Sequence, residues 1–209
     1  VVDNTFSPLM ISPQKLGADV TIHSLTKFIN GTNDTVGGVV CGSQEFIDGL
    51  RNVNDGAAML LGPVMDSLRA ASILKNLRTL HIRMKQHSKN AQFLAENFEE
   101  MGLKVNYPGL KNHPQHELHK ELMNNEFGFG GILSIDFETL KNANTTMKAI
   151  FKRELDCSMK LFVPYILSNG AKNRAVWLRV SWQISSGLPQ TNISPPPLPP
   201  SGPKSTIQS

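Results

Sequence analysis

Through residues 1–41 the chain alternates short apolar runs with turn-rich polar connections. Val1-Val2 leads into Asp3-Asn4-Thr5, Ser7-Pro8 breaks the run, and Pro13 and Gly17 punctuate the way to Val20-Thr21-Ile22. A third run, Val39 to Cys41, follows. Apolar runs without strict polar alternation predict strands of a sheet covered on both faces, as in α/β proteins. Cys41, inside such a run, is expected to be a small core residue in a reducing compartment. With Cys157 as its sole companion it forms neither a disulfide framework nor a metal motif.

Beyond Cys41 the apolar spacing lengthens. Ser43 predicts an N-cap for a helix over 44–50, with Phe46, Ile47 and Leu50 on one face. Asn52 to Gly56 reads as a turn, and a helix is expected from Val64, with Pro63 near its start. Met84, His87, Ala91, Leu94, Phe98 and Met101 recur at spacings of three and four, the stripe of an amphipathic helix that Gly102 ends. His87 falls on that stripe, which predicts a packed histidine rather than a catalytic one. Val105 opens a strand, Pro108-Gly109 turns, and His113-Pro114-Gln115-His116 begins a polar stretch with His119. Those histidines lack the spacing and the carboxylate or cysteine partners of a metal motif. The run Phe127-Gly128-Phe129-Gly130-Gly131 precedes a strand over 132–137, with no helix behind it to bind phosphate, so its glycines predict close backbone packing. A helix over 140–151 follows, with Ala143, Met147 and Ile150 inward. Strand, strand, helix predicts a small α+β second domain. Residues 176–182 read as one more strand, with Arg179 facing away from Leu178 and Val180; the run Pro195 to Pro200 marks a tail expected to be disordered with local polyproline II.

Composition narrows the class. Hydrophobic residues make up 40% of 209 positions, and no apolar run approaches the roughly 20 residues of a membrane span. The opening residues carry no charged and apolar leader pattern, so no signal peptide is read there. The net charge of +4 is modest; its densest cluster (Lys75, Arg78, Arg83, Lys85, Lys89) reads as a solvated helix face. No aromatic platform accompanies it, so neither nucleic acid nor a membrane is expected as a partner.

The chemistry concentrates at His23-Ser24-Leu25-Thr26-Lys27-Phe28 and the following Asn30-Gly31-Thr32-Asn33-Asp34. Lys27 leaves an apolar strand, Ser24 and Thr26 flank it with hydroxyls, and Asp3 ends an earlier strand. Ligands of open α/β sheets sit beyond the carboxyl ends of strands, where both Asp3 and Lys27 fall. An aldehyde would meet the amine, a phosphate the hydroxyls, and a pyridinium nitrogen the carboxylate: the set suits pyridoxal phosphate. The blander alternatives are a surface lysine, an aspartate capping a turn, and hydroxyls satisfying loop backbone.

Val1 to Phe6 and His23 to Phe28 resemble paired signatures of the Cys/Met-metabolism family of pyridoxal-phosphate enzymes. The resemblance extends through Met59-Leu60-Leu61-Gly62-Pro63, Arg83 and His87, Tyr107-Pro108-Gly109-Leu110, His113-Pro114-Gln115-His116 and residues 127–136. It implies the aminotransferase-like fold (fold type I), here as a partial large domain over 1–80, a small α+β C-terminal domain over 81–186 and a Pro-rich tail over 187–209. The match to the later part of longer family members gives the expectation of a C-terminal fragment. By resemblance, Lys27 is the lysine that holds the cofactor covalently. Asp3 then meets the pyridinium nitrogen, Ser24 and Thr26 the phosphate, and Arg179 the substrate carboxylate. The implied activity is carbon–sulfur lysis, α,γ-elimination of methionine to methanethiol, 2-oxobutanoate and ammonia. Transsulfuration (γ-lyase, γ-synthase or sulfhydrylase) and a non-catalytic truncated paralogue are the alternatives. The implied setting is a cytoplasmic homo-oligomer, a tetramer of tight dimers, acting on a small sulfur-containing amino acid.

Overall fold

The computed structural model describes the backbone of residues 1–156 and 175–179 and the side chains of residues 1–149. The Pro-rich tail, Ile150's packing and the strand beyond Arg179 lie outside the described residues. Strands β1 (Val2–Asp3), β2 (Thr21–Ser24) and β3 (Gly38–Cys41) form one sheet in that order. β1 runs parallel to β2, with Val2 opposite Thr21 and Asp3 opposite Ile22; β3 returns antiparallel, with Ser24 opposite Gly38. The crossover between β1 and β2 holds a 3-10 helix over Pro13–Leu16 that Gly17 ends at φ +88°.

The coverage expected on both faces differs at the edges. Val2 is 40% and Val40 43% exposed, and Cys41 is exposed rather than a core residue. The physical reason is position: β1 and β3 are the outer strands of a three-stranded sheet, and among the described residues little packs over them.

Helix α1 (Gln44–Leu50) starts where Ser43 predicts it, with Ser43 Oγ accepting from Phe46 N at 3.2 Å. Met59, Leu60 and Leu61 form their own short helix, α2 (Ala57–Leu61). The helix expected from Val64 begins later, as α3 (Ser67–Leu77). Asp66 sets that start, because its carboxylate accepts from Arg69 N at 3.0 Å, while Pro63 stays in the connection. α4 (Leu80–Glu100) carries the long apolar stripe, and Gly102 at φ +78° follows its end. No helix among the described residues is long and apolar enough to cross a membrane.

β4 (Lys104–Asn106), β5 (Ile132–Asp136) and β6 (Ala175–Arg179) make a second, antiparallel sheet in that order, with α6 (Leu140–Asp156) following β5. Between β4 and β5 lies α5 (His116–Leu122), where the polar pattern gave no helix. Its leucines explain the miss, since Leu118 and Leu122 are 47% and 38% exposed and leave no buried stripe to read. Two cores result, and α4 enters both. Leu80 and Met84 pack with Met10, Phe28, Ile29, Ile73 and Phe127. Roughly two and three turns past Met84, Ala91 and Ala95 pack with Tyr107, Leu133, Ile135, Ala143 and Met147. Small alanines there let β5 and Tyr107 approach the helix closely.

Candidate functional site

Parallel pairing of β1 and β2 brings their carboxyl ends side by side. Asn4 N donates to Ile22 O at 2.9 Å, which extends the register past Asp3. Thr5, buried, then bridges the two strand ends. Its N–H donates to Asp3 Oδ1 at 2.9 Å, and its Oγ1 accepts from Ser24 N at 2.8 Å. Hydrogen bonds from Thr5 hold the Asp3 carboxyl below the usual carboxylate range, and neighbouring His23 adds to the effect. Burial pushes the His23 imidazole down against the opposing pull of Asp3. At neutral pH the pair is therefore an ionised carboxylate beside a neutral imidazole, whose Nδ1 has no hydrogen-bond partner among the described residues.

Lys27 sits in the tight turn that leaves β2. Lys27 N donates to Ser24 O at 3.3 Å, and Gly31 N closes the turn on Lys27 O at 2.8 Å. Gly31 takes φ +78°, which glycine adopts without a Cβ penalty. β3 stitches the same turn from the other side: Leu25 N donates to Gly37 O at 2.9 Å, and Thr26 Oγ1 accepts from Gly37 N at 3.0 Å. The Thr26 hydroxyl also donates to Gly37 O across a long 3.4 Å. Phe28 next to the lysine is fully buried, edge-on to His87 at 5.4 Å, so His87 is the packed histidine its position predicts. Buried Asn30 donates to Asp34 Oδ1 at 2.9 Å and accepts from Asn76 Nδ2 at 2.8 Å. Thr32 first, and then Asn30, hold the Asp34 carboxyl below its ordinary range.

These groups fit the cofactor inferred from the sequence. Asp3 is exposed and ionised, as an acceptor for a protonated ring nitrogen must be. Ser24 ends the neighbouring strand, and Thr26 and Lys27 lie on the turn that follows it. Thr26 can turn its long, weak donation from Gly37 O toward a phosphate oxygen while keeping the shorter bond from Gly37 N. Arg179 is set apart: it ends β6 in the second sheet, opposite Ile132. What sequence reading missed around these groups is the bridging role of Thr5, the contact of Asn76 with Asn30, and the role of Arg83. All are joined by contacts between distant segments, for which spacing gives no signal. A cleft of about 590 Å³ lies elsewhere, between α4 and residues 125–129, and neither Asp3, Ser24, Thr26 nor Lys27 lines it. The three neighbouring histidines lie near one another, with the His113 and His119 rings 6.4 Å apart, and each of two has another partner. His116 stacks on Phe129 at 4.9 Å, His113 bonds Asn106, and no metal-holding group of three occurs among the described residues.

Residues 1–158 match the family described as Cys/Met metabolism PLP-dependent enzyme. A methionine gamma-lyase of Arabidopsis thaliana is 48% identical over 147 residues, covering 70% of this chain and 33% of that protein. An L-methionine gamma-lyase of Fusobacterium nucleatum subsp. polymorphum is 38% identical over 150 residues, covering 70% and 37%. The crystal structure of cystathionine gamma synthase from Xanthomonas oryzae pv. oryzae superposes with a TM-score of 0.69 at 27% identity, over 88% of this chain and 51% of that one. The chain thus spans about a third of the length of these curated relatives.

Proposed function

Because the chain belongs to the Cys/Met metabolism family of pyridoxal-phosphate-dependent enzymes, we propose that it carries the lysine end of a carbon–sulfur lyase acting on methionine. By family it is an enzyme with α/β architecture of fold type I. The observation that carries the reading is the parallel β1–β2 register, with Thr5 bonded across it, which sets Asp3 and the Lys27 turn at one end of the sheet. When bound, pyridoxal phosphate supplies an electron sink for negative charge at the substrate's α-carbon. In this reading Asp3 holds a proton on the ring nitrogen, a role suited to a carboxylate already held ionised. Ser24 and Thr26 bind the phosphate. Lys27 would hold the cofactor covalently, and its amine, when free, would carry protons between neighbouring carbons of the substrate. Arg179 would supply the guanidinium that pairs with the substrate carboxylate.

The preference for methionine rests on the two methionine gamma-lyase relatives. The second reading, transsulfuration on an activated homoserine ester, is favoured by the structural likeness to cystathionine gamma synthase. We place residues 1–80 in the cofactor-binding domain, 81–186 in the small domain and 187–209 in a proline-rich tail, and expect a cytoplasmic homotetramer of tight dimers. The test incubates the 209-residue chain with pyridoxal phosphate, fixes adducts with borohydride and maps them by mass spectrometry. An adduct concentrated at Lys27, absent from Lys27→Ala, is expected; equal labelling of both proteins would sink the assignment. Release of 2-oxobutanoate from methionine, against product from cysteine plus an activated homoserine ester, separates the two activities. Capture at Lys27 with neither product would mark a cofactor-binding chain without turnover.

A further inference from the structure

One side chain from α4 reaches into the lysine turn, and nothing in the cofactor chemistry above requires it. Arg83 donates through Nη1 to the carbonyl of Phe28 and through Nη2 to the carbonyl of Ile29 at 2.8 Å. These are the two carbonyls that directly follow Lys27. The same guanidinium is anchored at the corner between α3 and α4: Nη2 donates to Asn76 O at 3.0 Å and Nε to Thr79 Oγ1 at 3.1 Å. Asn76 adds a second strap, its Nδ2 bonding Asn30 Oδ1 at 2.8 Å and Thr32 Oγ1 at 3.2 Å. The contact is close enough to dictate sequence on the other side. A Cβ on Gly31 would lie 2.4 Å from Arg83 Nη1.

We propose that Arg83 is the positioning residue for Lys27: its planar fork locks the turn so that the amine stays at the sheet end beside Asp3. The proposal rests on the reading of Lys27 as the attachment lysine. Arginine suits the task because one rigid plane of five donors reaches four acceptors on two elements. A lysine at the same place keeps the charge but has three donors around one atom, so it cannot hold the turn and the α3–α4 corner together.

Two measurements on the 209-residue chain test this, in the wild type, Arg83→Lys and Gly31→Ala. The first is amide hydrogen exchange without cofactor, read at Asn30 and Gly31, whose N–H groups bond Leu25 O and Lys27 O. The second is the rate at which Lys27 is captured by pyridoxal phosphate and borohydride. In Arg83→Lys we expect exchange at those amides to be about tenfold faster and capture at Lys27 about tenfold slower, with Leu133 and Ile135 in β5 exchanging as before. Gly31→Ala, which pushes the guanidinium away from the opposite side and adds strain of its own at φ +78°, should give the same pattern at least as strongly and covers the case in which Arg83→Lys does not fold. Unchanged exchange at Asn30 and Gly31 overturns the clamp. Faster exchange with an unchanged capture rate overturns the positioning role and leaves a purely structural pin. A wild-type chain that shows no preference for Lys27 overturns the attachment reading instead, and the exchange arm still judges the clamp by itself.

Discussion

Thr5→Val isolates the contact that couples the two strand ends. The side chains have nearly the same shape, so the substitution opens no cavity and removes only the hydroxyl. That hydroxyl oxygen accepts from Ser24 N at 2.8 Å, and Thr5 is 5% exposed. Leaving a backbone donor unpaired in such surroundings costs about 1–3 kcal/mol. For a chain of this size each kcal/mol lowers the melting temperature by roughly 2–4 °C. Thr5→Ser, which restores the acceptor, should recover most of the loss. The substitution also acts on Asp3, whose carboxyl is held below its ordinary 3.8 chiefly by Thr5. A depressed carboxyl contributes stability that is present above its unfolded value and disappears as pH falls through its folded value. Removing the Thr5 hydroxyl lets the Asp3 carboxyl rise toward 3.8, so the gap between wild type and Thr5→Val should narrow as the solution is acidified below that point. Urea unfolding at a series of pH values, with the Asp3 carboxyl followed by NMR, measures both effects. A Thr5→Val chain as stable as Thr5→Ser, with the Asp3 titration unmoved, would refute the bridge.

Two further outcomes follow from the cores on either side. Tyr107 is fully buried and its hydroxyl donates to Gly130 O at 2.8 Å, so Tyr107→Phe should lose about 1–2 kcal/mol in urea unfolding. Burial, and to a lesser degree Glu96, pushes the Tyr107 phenol well above its ordinary 10.0. Its contribution is thus complete below pH 10.0 and is lost as pH rises toward the folded value, and alkaline unfolding should lose that component in Tyr107→Phe. Phe28 is fully buried and meets both Phe6 and His87 edge-on, so Phe28→Ala should cost about 3–5 kcal/mol by calorimetry or denaturant. A loss below about 1 kcal/mol would mean the lysine turn is not anchored through its neighbour.

The parts of this fold legible in the sequence are those that report themselves locally. Ser43 caps α1 through its own side chain, and the stripe on α4 follows from 3.6-residue periodicity. The placing of Asp3 and Lys27 at neighbouring strand ends is legible because each follows an apolar run. What the pattern misses is set by distant partners. α5 presents mostly exposed leucines, so its helix has no stripe. Cys41 sits in an apolar run, yet its strand is the sheet's edge, and edge position depends on which strands pair rather than on what they contain. Thr5 and Arg83 read as an ordinary hydroxyl and a helix-surface cation. Their roles exist only across bonds spanning 19 residues in one case and 55 and 54 in the other.

Those long bonds also separate two properties that the family name merges. Asp3 and the Lys27 turn are tied by contacts within residues 2–37 and 76–83: the β1–β2 register, the Thr5 bridge, the Gly37 stitches and the Arg83 fork. The arginine assigned to the substrate carboxylate belongs to a different sheet, tied to the first through β5 and the α4 helix that enters both cores. On the proposed assignment, cofactor capture at Lys27 draws on the first group of contacts, whereas turnover also needs the second sheet, whose strand β6 carries Arg179. A change in the second core, such as Tyr107→Phe, should consequently leave the capture rate at Lys27 untouched while it lowers stability. A change in Thr5 or Arg83 should alter capture under conditions where the second core is still intact. Reversal of that order, with Tyr107→Phe slowing capture as much as Arg83→Lys, would mean that the lysine turn and the second core move as one unit.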